Sequence, residues 1–162
     1  MRIGLISDTH NNLKNTRQAL KRFRAERITT ILHAGDVTGP AVIQALKGFE
    51  VWIAWGNMDR DPTIQEIAAT VLGDGRLDTL HHLVLEGQRI ALLHGDDAQR
   101  LDALIHSKDY DYVIHGHTHQ RRDERVQQTH IINPGALGGT SLFPSSFAIL
   151  DLQTGDVEFL EP

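Results

Sequence analysis

Short apolar runs recur along this chain, and each ends on a polar signature. Ile3 to Ser7 leads into Asp8-Thr9-His10, Thr30 to His33 into Gly35-Asp36, and Val51 to Trp55 into Gly56-Asn57-Met58-Asp59. Arg89 to Leu93 leads into His94-Gly95, and Tyr112 to His115 into Gly116-His117-Thr118-His119. Runs this short, rich in Val, Ile and Leu, predict strands. Between them the period lengthens. Leu13, Ala19, Leu20 and Phe23 recur at roughly helical spacing and predict a helix from about Leu13 to Glu26, capped by Asn11 or Asn12. Gly39-Pro40 opens a short helix over about Ala41 to Leu46. Asp61-Pro62 opens another, ending near Gly73-Asp74-Gly75.

The second half has a different rhythm. Leu80 to Leu85 and Arg89 to Leu93 read as a hairpin about Glu86-Gly87-Gln88. A helix follows from Asp97 or Ala98 to Ser107, with Leu101, Leu104 and Ile105 on one face. Further strands are predicted over Gln120 to Val126, Thr129 to Asn133, Phe147 to Leu152 and Val157 to Leu160. The last two are joined through Thr154-Gly155-Asp156. A βαβ-like first half and a strand-rich second half predict an α/β fold of two packed sheets with helices outside. The chain has 162 residues, the size of a single domain, 1–162.

The candidate ligands in these signatures are two carboxylates, one amide and four imidazoles: Asp8, His10, Asp36, Asn57, His94, His117 and His119. All lie just past the C-terminal ends of predicted strands, where open α/β sheets collect ligands. Each has a bland reading alone. Asp8 could cap a helix beside an incidental His10, Asp36 could be a turn residue, and His94 could be a solvated strand end. Asp8 and His10, at i and i+2, point the same way if the backbone is extended. His115, His117 and His119, at alternate positions on a Gly-marked bend, have few structural uses and favour a metal. If Asp36 bridges two ions, one takes Asp8, His10, Asp36 and one loop His. The other takes Asp36, Asn57, His94 and the second loop His. Two divalent ions bring a charge of +4 and the two carboxylates return −2, so the site attracts an anionic phosphate. Ions about 3.5 to 4 Å apart can clamp the attacking and leaving oxygens of an in-line displacement.

Composition narrows the chemistry. Cysteine is absent, which excludes disulfides, thiolate metal sites and a cysteine nucleophile. Any metal is held by N and O, which points to Mn first, with Fe, Co, Ni or Zn as alternatives, rather than Mg or Ca. The formal charge is −5, against a protein that coats nucleic acid. Arg121, Arg122 and Arg125 read as a solvated basic run. The apolar N-terminus is too short for a secretory signal, and no apolar stretch approaches the roughly 20 residues of a membrane helix. A cytoplasmic chain is the expectation.

In order and form, these signatures resemble the calcineurin-like metallophosphoesterase superfamily. The short single-domain phosphodiesterase branch fits best, by length and by the Gly-Asn-x-Asp form. The likeness runs from Asp8 to His119 and extends to Asn133-Pro134-Gly135. It implies a four-layer sandwich, two mixed sheets flanked by helices, with a dinuclear site at their shared edge. It assigns Asp8, His10, Asp36 and His119 to one metal, and Asp36, Asn57, His94 and His117 to the other. It implies phosphodiester hydrolysis by in-line attack of a metal-bridging hydroxide. Asp36, Asn57 and His94 act through metal and phosphate positioning, and Asn57, Asn11 and Arg60 contact the substrate. In the superfamily's phosphoprotein phosphatases a His follows the motif Asn and is proposed to protonate the leaving group. Here Met58 stands there, favouring esters with good leaving groups. Asn11, His33 and His130 border the motifs as substitute donors. His33 reads better as a packed strand-end residue, and His81, His82 and His106 as surface residues.

Two alternatives stand beside this reading. One is a phosphomonoesterase acting on nucleotides or sugar phosphates. The other is a non-catalytic binding scaffold of the same fold, using aromatics such as Trp52, Trp55, Phe143 and Phe147, the first two of which suit a core. A small phosphoester is the expected partner, with no membrane and no nucleic acid; homo-oligomerisation is left open. Specificity is expected from the loops after Met58, after Gly95 and around Leu137 to Pro144.

Overall fold

The computed structural model describes residues Met1–Pro162. Eleven strands form two mixed sheets. The first contains β1 (Arg2–Ile6), β2 (Thr30–His33), β3 (Glu50–Ala54), β4 (Leu77–Asp78), β10 (Phe147–Asp151) and β11 (Val157–Leu160), in the order β11-β10-β1-β2-β3-β4. β1 to β4 run parallel, while β10 pairs antiparallel with β1 and β11 with β10. The second contains β5 (Leu80–Leu85), β6 (Gln88–Leu93), β7 (Tyr112–Ile114), β8 (Arg121–Val126) and β9 (Thr129–Pro134), in the order β5-β6-β7-β9-β8. β6, β7 and β9 are parallel, with antiparallel strands at both edges.

The period-2 alternation of the strands sorts the core into layers. Ile3, Leu5, Leu32, Ile90, Leu92 and Leu150 meet between the sheets. The alternate residues of sheet one, including Ile6, Ile31 and Ile53, pack on the helices α1 (Leu13–Ala25), α2 (Pro40–Ala45) and α3 (Thr63–Leu72). Ala91, Leu93 and Val113 of sheet two face α4 (Ala98–His106). This makes the four-layer sandwich. Asn12 caps α1, accepting from the Asn15 N–H at 3.1 Å. No helix is long and apolar enough to cross a membrane.

Three expectations are corrected, and one strand was not expected. β4 has only two residues, too few to leave a period, and pairs with the edge of β3. His81 is buried, because the chain passes directly from sheet one to sheet two there and its Nε2 lies 2.8 Å from the Ile53 carbonyl. Phe147 lies in the core against Phe23, so no exposed aromatic face includes it. Asp8 and His10 are not on extended backbone: their φ angles are +49° and +44°. The chain coils there because the Asp8 and His10 N–H groups donate to the carbonyls of Gly35 and Asp36.

Candidate metal centre

Five strand ends deliver the seven predicted residues to one edge shared by the two sheets. Asp8 is fully buried. Its Oδ2 accepts from the Ser7 hydroxyl at 2.5 Å and the His117 N–H at 3.2 Å. Its Oδ1 is buried without a hydrogen-bond partner. His119 Nε2 lies 3.2 Å from that oxygen and His10 Nε2 3.9 Å, and the two imidazole nitrogens are 3.5 Å apart. An orphaned buried carboxylate oxygen faced by two ring nitrogens fits a bound cation.

The other half is built on His94. Its Nδ1 lies 2.7 Å from the Ala34 carbonyl, so that nitrogen carries the proton and donates. In the neutral ring Nε2 then carries the lone pair. It faces Asn57 Oδ1 at 3.0 Å and Asp36 Oδ1 at 3.5 Å. Three such atoms converging on one point also fit a cation, and a carbonyl behind the ring is how ligating histidines are held. His117 stacks edge-on against His94, with ring centroids 5.2 Å apart.

Asp36 stands between the halves. Its Oδ2 is 4.0 Å from His10 Nε2, while its Oδ1 faces His94. Asp8, His10 and His119 form one group whose donor atoms lie within 4.8 Å of each other, and Asp8, Asp36 and His94 form a second. Asp8 thus reaches into both groups, where the sequence reading put only Asp36. Burial pushes the Asp8 carboxyl above its usual range, offset by the Ser7 hydroxyl. A cation beside it would reverse that effect.

The backbone is strained here. Asp8, His10, Asp36, His117 and His119 all have positive φ, between +44° and +65°. This left-handed region costs an L-residue roughly 1–2 kcal/mol, and such strain clusters at functional sites. The loops also approach too closely for a side chain at two glycines. A Cβ on Gly116 would sit 1.9 Å from Ser7 Oγ and 2.7 Å from Asp8 Oδ2, and one on Gly56 would sit 2.4 Å from the Asp36 backbone nitrogen.

Some residues take other places. Arg60 lines a cavity of about 260 Å³ together with Asn57 and His94. The Asn11 side chain lies against Gly39 and makes no hydrogen bond to the cluster. His33 is fully buried, its Nδ1 accepting from the Gly35 N–H and its Nε2 3.1 Å from Thr9 Oγ1. Burial lowers its pKa to about 3. His130 Nε2 is held by Asp123 at 2.6 Å. Neither is free to donate to a leaving group. His115 is buried behind the loop, with Nδ1 3.1 Å from the Gly116 carbonyl and its pKa lowered by burial to about 4. Met58 contributes its backbone, donating to Asp36 Oδ1 at 2.9 Å.

The sequence reading missed Asp59. It is buried and accepts the N–H groups of Thr38 (2.7 Å), Gly56 (2.9 Å) and Asp36 (3.1 Å). It thereby ties the loop of Asp36 to the loop of Asn57. Burial raises its pKa, and the three N–H bonds work against that. Its signal was the carboxylate that closes Gly56-Asn57-Met58-Asp59. Asn133 braces the histidine loop similarly, donating to the Gly116 carbonyl at 2.8 Å and Thr118 Oγ1 at 3.0 Å.

The sequence pattern of the calcineurin-like phosphoesterase superfamily domain matches residues 1–155. The chain belongs to this superfamily. A family relative, a phosphodiesterase from Methanocaldococcus jannaschii, is 31% identical over 156 residues, covering 94% of both chains. A solved structure of an archaeal phosphodiesterase superposes with a TM-score of 0.92 at 29% identity, covering 99% of each chain. Vps29 from Entamoeba histolytica, at 23% identity and a TM-score of 0.72 over 99% of this chain and 97% of its own, shares the family fold.

Proposed function

We propose that this chain is a phosphodiesterase that works with two divalent transition-metal ions. The observation that carries the reading is the double convergence of ligand-type nitrogen and oxygen atoms, on Asp8 Oδ1 and on His94 Nε2. Asp8, His10, Asp36 and His119 would hold one ion. Asp36, Asn57, His94 and His117 would hold the other, Asp36 being common to both. When bound, such a pair supplies a hydroxide for in-line attack on phosphorus and Lewis-acid stabilisation of the developing charge.

The chain's own groups do the positioning. Ala34 fixes the His94 tautomer, Ser7 and the His117 N–H hold Asp8, and Asp59 fixes the loops of Asp36 and Asn57. The Asn57 amide nitrogen and Arg60 are the donors available to a phosphate oxygen. Met58 gives no proton, so esters with good leaving groups react best. A diester is favoured over a monoester because there is room for two arms. One cavity touches Asn57 and His94, and another, lined by Phe143 and Pro144, touches His119. The name of the M. jannaschii relative agrees. A scaffold of this fold has no need of seven donors.

The test is turnover of bis(p-nitrophenyl) phosphate with added Mn, beside elemental analysis of protein purified without chelator. The expected outcome is two ions per chain and a loss of at least a hundredfold in kcat/KM for Asp36→Ala and His94→Ala. Equal rates in all three proteins overturn the reading.

A further inference from the structure

The cavity beside His94 has a composition that selects its occupant. About 260 Å³ lies just below the roughly 300–1,000 Å³ typical of small-molecule pockets. That admits one ring-sized group. Only two of its twelve lining residues are hydrophobic, which disfavours an alkyl arm.

Its charges are mixed and partly uncommitted. Arg60 and Arg100 line it and enter no ion pair. Of the three carboxylates on its wall, Asp59 is committed to three backbone N–H groups and Asp97 caps α4 through the Arg100 N–H. Asp96 is exposed and accepts nothing. Three carboxylates disfavour a second anion, and two guanidinium groups disfavour a cation. A neutral group with hydroxyls that both donate and accept satisfies both sets. Half-buried Trp55, on the same wall, offers a flat apolar surface to a ring.

We propose that this cavity binds one ester arm of the substrate, a ring bearing a vicinal diol, with the diol on Asp96, the ring on Trp55 and Arg100 donating to its acceptor atoms. The proposal rests on the phosphodiesterase reading, since Asn57 and His94 at the cavity wall place a reacting phosphoryl group beside it. Ribonucleosides and hexoses share this chemistry.

Four p-nitrophenyl diesters with the same leaving group separate the outcomes: those of uridine 5′-monophosphate, its 2′,3′-dideoxy counterpart, glucose 6-phosphate, and p-nitrophenyl phosphate itself. The expected result is a kcat/KM at least tenfold higher for the uridine than for the dideoxyuridine ester. Asp96→Asn should bring that ratio close to one, and Arg100→Ala should raise KM for the uridine ester with kcat little changed. The glucose ester shows which diol-bearing ring fits better. A second readout needs no turnover: in the Trp52→Phe variant, whose sole indole is Trp55, uridine should quench fluorescence more strongly than dideoxyuridine. Equal rates and equal quenching for the ribo and dideoxy compounds overturn the proposal while leaving the phosphodiesterase reading intact. Failure of the wild type to cleave any of the four overturns both.

Discussion

Asp59 holds no predicted ligand position, yet three backbone N–H groups end on it. Asn in its place keeps one oxygen and turns an NH2 toward an N–H that needs an acceptor. Groups that orient ligands typically contribute 10–100-fold to metal affinity. Asp59→Asn is therefore expected to weaken metal binding by about 10–100-fold, read by calorimetric titration, with the far-UV spectrum unchanged. His33 and His115 make a different prediction. Both are held neutral by burial, with pKa values of about 3 and 4 against an ordinary 6.5. The folded state thus binds fewer protons than the unfolded state in acid. The stability they contribute is complete above pH 6.5 and is lost as pH falls. Each imidazole removes about 1.4 kcal/mol per pH unit, so at pH 5 the pair costs about 4 kcal/mol. That is comparable with the whole stability of a marginal domain, about 5–15 kcal/mol. The raised carboxyls of Asp8 and Asp59 work the other way, so the test is a difference: between pH 7 and pH 5 the urea midpoint of metal-free protein should fall more in the wild type than in His33→Gln. Equal falls would contradict the burial argument.

At the scale of elements, the strands were legible because both faces of the central ones are buried and their apolar runs are continuous. β2 falls where the pattern put it, Thr30–His33. The helices were legible from spacing and caps. What the pattern missed had no period to show: two-residue β4, the inward turn of His81, and the coiled backbone at Asp8 and His10. The seven donors could be listed from the sequence because each follows a strand. Their pairing could not, since it depends on loop curvature set by hydrogen bonds between loops, including those made by Asp59. The roles of Trp55, Asp96 and Arg100 needed a cavity that only the folded chain defines. Gly116 tests the loop contacts directly. Gly116→Ala drives a methyl against Ser7 and Asp8, where overpacking costs about 1–3 kcal/mol. For a chain of this size each kcal/mol lowers Tm by about 2–4 °C. Calorimetry should show that loss together with weakened metal binding, whereas Gly48→Ala, with nothing within 4 Å of its Cβ, should keep its metal affinity.

At the scale of the whole molecule, the interior between the sheets draws on both ends of the chain: Ile3 and Leu5 meet Ala148 and Leu150 there. β10 sits between β1 and β11, with Arg2 opposite Asp151 and Leu5 opposite Ala148. All seven donors nonetheless precede residue 120. Residues 1–144 therefore carry every donor but lack the two strands, β10 and β11, that complete the first sheet. That fragment is expected to show no cooperative thermal transition and to bind no stoichiometric metal, and adding a peptide of residues 145–162 should restore both. During synthesis, at about 5–20 residues per second, the opening strand emerges many seconds before its antiparallel neighbour. Assembly of the donors thus waits for residues 145–162 to emerge, and a shorter nascent chain has no preformed trap for the cell's free metal ions.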